Sequence, residues 1–262
     1  MKIQQIKARI VSNKEVKANF WLLEFVSSSI AKAAQPGQFV NVKVASGWAP
    51  LLRRPLSIHK IKNGKVQLFY EALGLATEIL TQRRPKEFLD IIGPLGSGFN
   101  YQKSVVKSGK TKNILIAGGM GVAPLVFLAE KIKMHKPLVL IGAQSANKVL
   151  CAQEFRNFGC QVKIATNDGS LGFGGQVTDL LKINLTLENS VNLFACGPQP
   201  MLQAVAQIAT AKNINCELSL EAHMACGIGA CLGCVVMTKS GYKRVCQDGP
   251  VFSSKELTWE KR

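Results

Sequence analysis

Acidic residues are scarce in this chain: 16 Asp and Glu stand against 33 Lys and Arg, a formal charge of +17. Such an excess attracts polyanions. Yet the sequence lacks arginine-aromatic blocks and nucleic-acid recognition motifs, and its lysines are scattered, as at Lys2, Lys7, Lys60, Lys62, Lys103, Lys107, Lys110 and Lys112. Nucleic acid is therefore not expected as a ligand; solvation or an acidic protein partner accounts for the charge. Missing too is any run of about 18 apolar residues, so no membrane span is expected. The first ten residues alternate apolar and polar side chains as a half-buried strand does, without the apolar core and cleavage site of an export signal. There is no internal repeat and no low-complexity tract. With eight cysteines and no export signal, a reducing compartment is expected, the cytoplasm by default, where clustered thiols serve metals or redox chemistry.

A length of 262 residues suffices for two domains and a short appended module. Residues 1–100 carry short β-like runs, among them 20–26, 38–44 and 65–70, separated by Pro, Gly, Ser and Asn turns. That pattern predicts a small antiparallel barrel. A polar, lysine-rich stretch from Asn100 to Asn113 is the natural boundary. Over residues 113–220 compact apolar runs at 114–117, 138–141, 162–165 and 192–195 alternate with helical periodicity at 124–135 and 200–212. This predicts βαβ units on a parallel sheet. Residues 221–262 form a third, cysteine- and glycine-rich segment, so the expected class is mixed α+β in three parts: an antiparallel barrel, a parallel α/β domain and a C-terminal cysteine module.

Four of the cysteines follow C-x4-C-x2-C-x11-C: Cys226, Cys231, Cys234 and Cys246. Three thiolates on one tight loop and a fourth returning after a hairpin-length excursion can surround one metal centre. Gly227, Gly229 and Gly233 clear side chains from the wrap and reach positive φ. The opening matches the plant-type [2Fe-2S] ferredoxin spacing. A four-cysteine zinc site ordinarily shows a second C-x2-4-C knuckle, which is missing because Cys246 stands alone; zinc and unrelated core thiols remain the alternatives.

The run Ile114 to Pro124 is a strand, a turn with Gly118, Gly119 and Gly121, and a helix start, which lets a dinucleotide pyrophosphate approach backbone N–H groups. It departs from G-x-G-x-x-G, and such a turn is often purely structural. Two further turns, one with Asp168, the other with Cys196, Gly197 and Pro198, follow predicted strands and so share the carboxyl edge of one sheet. A free cysteine is commonly a small core residue; its place before Gly-Pro at a strand end favours a site role for Cys196. In the first part, Arg53-Arg54-Pro55-Leu56-Ser57 offers a guanidinium and a hydroxyl suited to a phosphate or flavin edge, with Tyr70, Glu71 and Thr77 downstream. His59, His135 and His223 lack ligand spacing and are not site residues on this reading.

In this order, Arg54 to Ser57, Gly93 to Gly96, Gly118 to Gly121, Cys196 to Pro198, and the cysteine module with residues 246–252 resemble the ferredoxin reductase superfamily. Within it they resemble the iron-sulfur electron-transfer subunits of NAD-dependent (class 1B) dihydroorotate dehydrogenases, over essentially the whole chain. The resemblance implies a flavin barrel, a nucleotide-binding domain and a [2Fe-2S] module. It implies that Arg54, Pro55, Leu56 and Ser57 bind FAD, that Phe69, Tyr70 and Glu71 line it, and that Ala76 and Thr77 sit at its phosphates. Ala76 stands where the family usually has glycine, a methyl that negative φ accommodates; the family has a small basic or neutral contact near Glu71. Asp168 and Met201 are implied NAD contacts. A partner catalytic subunit carrying FMN is implied, in a two-plus-two heterotetramer serving pyrimidine biosynthesis, with no dihydroorotate-oxidising base on this chain. Alternatives are the flavin and iron-sulfur subunit of a ferredoxin:NADP+ oxidoreductase or a cytosolic hydrogenase, and a non-enzymatic redox sensor.

Overall fold

The computed structural model describes residues 3–102, 111–185 and 190–259. The lysine-rich part of the expected boundary, residues 103–110, lies outside the described residues.

The first part closes into a six-stranded antiparallel barrel, in the order β1 (Gln4–Lys17), β2 (Phe20–Val26), β5 (Lys65–Glu71), β4 (Arg54–Lys62), β3 (Phe39–Lys43) and β6 (Phe88–Leu95). Long β1 pairs with both β2 and β6, which shuts the barrel and leaves no free edge. Alternation along β5 sends Val66, Leu68 and Tyr70 into the barrel core and Phe69 outward toward the second part. Helix α1 (Ser28–Ala33) is capped by Ser27, whose hydroxyl accepts the Ile30 N–H at 3.2 Å. Helix α2 (Leu75–Thr81) follows the β5 strand.

The second part is a seven-stranded sheet in the order β10 (Phe173–Gly174), β9 (Gln161–Thr166), β8 (Leu138–Ala143), β7 (Lys112–Gly118), β11 (Val191–Cys196), β12 (Asn215–Ser219) and β15 (Val251–Ser253). All neighbours are parallel except β15, which runs antiparallel to β12. Strands β7 and β11 are buried almost throughout because helices cover both faces, so they read as continuous apolar runs. Helix α3 (Val122–Lys131) is buried from Val122 to Ala129. It is apolar all round because it is wedged between sheet and barrel, with Phe127 inside the barrel cluster. The short helix α4 (Ala152–Asn157) and the helices α5 (Val177–Asn184) and α6 (Gln199–Ala211) complete the layers.

The cysteine-rich segment holds a hairpin of β13 (Val235–Thr238) and β14 (Gly241–Arg244), and then returns through β15 to the main sheet. Cys234, Val245, Cys246 and Phe252 consequently share one core with the sheet strands.

Candidate functional site

Sheet order decides where a ligand fits. Chain order reverses at β7, which has β8 on one side and β11 on the other, and the crevice above such a switch point is the ligand site of open α/β sheets. A cavity of about 480 Å³ opens there, between Phe20 and Glu71 of the barrel and Gly118, Gly119, Lys148, Asn167, Pro198 and Met201 of the sheet domain. Gly118 leaves no room for a side chain at this edge: a Cβ there would lie 2.7 Å from Met201 Sδ and 2.9 Å from Pro198 Cδ.

The three glycines of the first turn have different places. Gly118 and Gly119 line the cavity, and Gly119 holds φ +53 with open space where a Cβ would stand. Gly121 instead packs on the backbone of Cys196 and Gly197, tying the start of α3 to the end of β11. Cys196 is buried, and that burial, helped by the charge of Glu221, pushes its thiol up to about 12. Asp168 is turned to solvent and closes its own turn, its Oδ1 accepting the Ser170 hydroxyl at 2.6 Å and the Ser170 N–H at 3.0 Å. Those bonds hold its carboxyl below its ordinary value; its neighbour Asn167 is the residue on the cavity wall.

On the barrel side, β4 begins at Arg54, with Pro55 opposite Asn41, Leu56 opposite Val40 and Ser57 opposite Phe39. The two adjacent arginines divide their tasks. Arg53 is committed to Asp90, at 2.8 Å to the carboxylate and 2.9 Å to the carbonyl, whereas Arg54 forms no ion pair among the described residues and donates only to the Leu52 and Arg53 carbonyls. Phe69 lies between His59 and Phe20, at ring distances of 5.4 and 6.1 Å. Tyr70 turns into the barrel, where its hydroxyl donates to Asn13 Oδ1 at 3.1 Å and burial pushes it up to about 12, so only its backbone faces the site side. Glu71 meets Lys148 at 3.8 Å across the cavity mouth. Ala76 is buried, and its φ is not positive, which accommodates the methyl. The Thr77 hydroxyl accepts the N–H groups of Leu73 and Gly74 at 3.0 and 3.2 Å, fixing the loop that enters α2.

The four cysteines converge as a set graded from outside to inside: Cys231 exposed, Cys226 half-buried, Cys234 and Cys246 buried. Backbone N–H groups aim at their sulfurs, Cys231 N to Cys226 Sγ at 3.4 Å, Gly233 N to Cys231 Sγ at 3.5 Å and Cys246 N to Cys234 Sγ at 3.4 Å. Burial raises Cys226, but the N–H groups of Ile228, Cys231 and Ala230 outweigh it and bring the thiol down to about 6. Cys246 is pushed up to about 12 by burial and by Cys234 beside it. Four sulfurs that collect N–H donors while two of them are desolvated fit a centre whose positive metal charge draws off the thiol protons. Gly227 and Gly229 hold φ +70 and +87, and a Cβ on them would strike the Asn41 and Gln247 side chains. Arg244 clamps the far side, donating to Gly229 O at 3.1 Å and pairing with Asp248 at 3.1 Å.

Asn41 joins the two halves. Its Nδ2 donates to the Cys226 carbonyl at 3.2 Å, while its own strand position pairs with Pro55 of the Arg54-to-Ser57 segment. The cysteine loop is thus seated one strand from that segment.

The family model for the iron-sulfur cluster binding domain of dihydroorotate dehydrogenase B matches residues 221–258. Along nearly the whole chain, the "Dihydroorotate dehydrogenase B (NAD(+)), electron transfer subunit" of Desulforamulus reducens is 37% identical over 261 residues, covering 97% of this chain and 98% of that protein. The protein of the same name from Geobacillus kaustophilus is 39% identical over 255 residues, covering 95% and 96%. This chain belongs to the dihydroorotate dehydrogenase B electron transfer subunit family. Among solved structures, a chain from the NADH-dependent reduced ferredoxin-NADP oxidoreductase superposes with a TM-score of 0.83 at 25% identity, covering 97% of this chain and 90% of that one. A ferredoxin NADP+ reductase from Neisseria gonorrhoeae, solved with bound FAD and NADP, shares the fold at a TM-score of 0.66 and 15% identity, covering 79% and 91%.

Within this family frame, Glu71, Gly118, Gly119, Pro198 and Met201 come together at one cavity, whereas Arg54, Pro55, Leu56, Ser57, Phe69, Ala76, Thr77, Gly121, Asp168, Cys196, Gly197 and the Tyr70 side chain are not part of its lining. Phe20, Lys148 and Asn167 line it without having been singled out from sequence. Lys148 sits in a short turn after Ser145 and carries no motif; among many scattered lysines only the fold distinguishes it.

Proposed function

We propose that this chain is the electron-transfer subunit of an NAD-dependent dihydroorotate dehydrogenase of pyrimidine biosynthesis, carrying FAD and a [2Fe-2S] cluster and working with an FMN-bearing catalytic subunit in a two-plus-two heterotetramer. The observation that carries the reading is the seat of the cysteine loop on the flavin strand through Asn41 and Pro55. When bound, the cluster supplies one-electron transfer and the flavin converts pairs of such electrons into hydride equivalents for NAD+.

The chain's own residues supply position and environment. Cys226, Cys231, Cys234 and Cys246 hold the cluster, and the exposed side at Cys231, flanked by the exposed Ile228 and Leu232, is the port to the partner. Arg54, left without an acidic partner, and Ser57 grip the flavin, with Pro55 and Leu56 shaping its edge, Phe69 behind and Glu71 at the cavity mouth. The loop fixed by Thr77 ahead of buried Ala76 presents backbone to the phosphates. Gly118, Gly119 and Pro198 admit NAD close to backbone, while Gly121, Gly197 and buried Cys196 hold those turns together and Asp168 shapes the turn that presents Asn167. Oxidation of dihydroorotate, with its general base, belongs to the partner. The proposed site of action is the cytoplasm; separately, among the described residues no helix is long and apolar enough to cross a membrane.

The test is anaerobic NADH oxidation by the full chain mixed with the FMN subunit. Orotate-dependent consumption of NADH supports the reading. Consumption that answers to ferredoxin and not to orotate assigns the chain to a ferredoxin-linked oxidoreductase instead.

A further inference from the structure

His59 is fully buried between the two domains and is absent from the functions assigned above. It stands where β4 and β5 slip register, Ile58 facing Leu68 and Lys60 facing Gln67, so the extra residue is His59 itself. Bulges of this kind re-aim a side chain. The imidazole leaves the barrel and enters the sheet domain, with Nδ1 3.1 Å from the Ala123 carbonyl and Nε2 3.2 Å from Glu154 Oε2. A carbonyl can only accept, so Nδ1 carries a hydrogen, and Nε2 faces the carboxylate either as a second N–H donor or as a lone pair on a bound cation. Either a proton on Nε2, which makes the contact an ion pair with Glu154, or a metal ion can stand between the two groups; a third ligand atom beside them is what points to the metal.

A third donor is in place. Cys151 precedes Glu154 by three residues at the start of α4, so both side chains rise on one face. The His59 ring nitrogen, the Cys151 Sγ and a Glu154 oxygen all lie within 4.8 Å of one another. Cys151 is held at φ +56, a left-handed conformation that a side chain with Cβ avoids unless its surroundings impose it. We propose that His59, Cys151 and Glu154 form a Zn2+ site that pins the barrel to the nucleotide domain. The donor set of one nitrogen, one sulfur and one carboxylate is that of tetrahedral zinc, with water as fourth ligand. Metal bonds of about 2.0–2.1 Å put neighbouring nitrogen and oxygen ligands about 3.3 Å apart, close to the 3.2 Å found. The Nδ1 bond to a backbone carbonyl is the outer contact that orients a ligating histidine. Cys151 and Glu154 are part-exposed, which gives the ion a path in. Leu150 and Lys148, just ahead of Cys151, line the nucleotide cavity, so the ion fixes that wall relative to the flavin strand.

The test uses the full chain with FAD and cluster loaded, dialysed against a zinc buffer and assayed by elemental mass spectrometry. One zinc per chain beyond the cluster iron is expected. Cys151→Ser and Glu154→Gln should retain iron, sulfide and FAD while binding zinc at least about tenfold more weakly. Cadmium-113 resonance on the wild-type protein reads the same site without a substitution, and a single-thiolate shift is expected. No zinc beyond iron, zinc binding indifferent to both variants, or a four-thiolate cadmium signal alone would each overturn the proposal.

Discussion

Replacing Gly121 by alanine separates the glycines that admit a ligand from the one that holds the fold. Gly121 has φ −59 and ψ −12, a conformation alanine adopts freely, so the backbone itself imposes no penalty. The cost comes from contact: the new Cβ would overlap the carbonyl of Cys196 and stand 2.8 Å from Gly197 N. Those are backbone atoms at the end of β11, where Cys196 pairs with Ala117 of β7, and they cannot swing aside as a flexible side chain does. Overpacking of this kind costs about 3 kcal/mol, the upper end of its usual span. At about 2–4 °C per kcal/mol for a chain of this size, the melting midpoint falls by about 6–12 °C. Gly119→Ala is the control. With φ +53 and open space around its Cβ, it costs about 1 kcal/mol of left-handed strain, or about 2–4 °C, while its methyl enters the cavity and weakens NADH binding directly. Differential scanning calorimetry and NADH titration of both variants make the comparison. A Gly121→Ala midpoint equal to wild type, or a larger fall for Gly119→Ala, would refute the reasoning.

Two further outcomes follow from the geometry. Cys234→Ser removes a buried ligand on the core side of the loop, so iron, sulfide and the reduced-cluster EPR signal should disappear while the FAD spectrum stays. Asp90 is held below its ordinary carboxyl value, because hydrogen bonds from Arg53 and Gln5 outweigh the burial that would raise it. A depressed folded value contributes stability that is complete above the unfolded value of about 3.9 and is lost as pH falls through the lower folded value. Asp90→Asn should therefore cost about 1 kcal/mol at pH 7 in urea denaturation, and the two proteins should converge in acid.

The barrel and the parallel sheet are written in periodicity. Phe20–Val26 is one strand as read, and the apolar runs at 114–117 and 192–195 grow by three and two residues into β7 and β11. Helix α3 illustrates the limit: the pattern from Pro124 onward marks a helix, but it ends at Lys131 and continues to His135 only as a short, tighter turn. The cysteine spacing is local and chemical, so it reads directly. What sequence does not carry is choice among neighbours. Arg53 and Arg54 are equivalent until Asp90 arrives from β6 to occupy one of them. Asp168 and Asn167 are adjacent turn residues until Ser170 folds one carboxylate back on its own loop. Asn41 reads as an ordinary polar position in a strand, and its bond to the Cys226 carbonyl spans 185 residues of chain. His59 has no ligand spacing because its neighbours come from Cys151 and Glu154, across the domain interface.

The central claim is that the cluster held by Cys226, Cys231, Cys234 and Cys246 exchanges electrons with the flavin on the adjoining strand. Anaerobic titration of the isolated chain with NADH, followed by visible absorbance and low-temperature EPR, tests it most directly. Bleaching of the flavin together with the appearance of a one-electron [2Fe-2S] signal is the predicted result. Bleaching with a cluster that stays oxidised until dithionite is added, or zinc in place of iron and sulfide at the four cysteines, would contradict it.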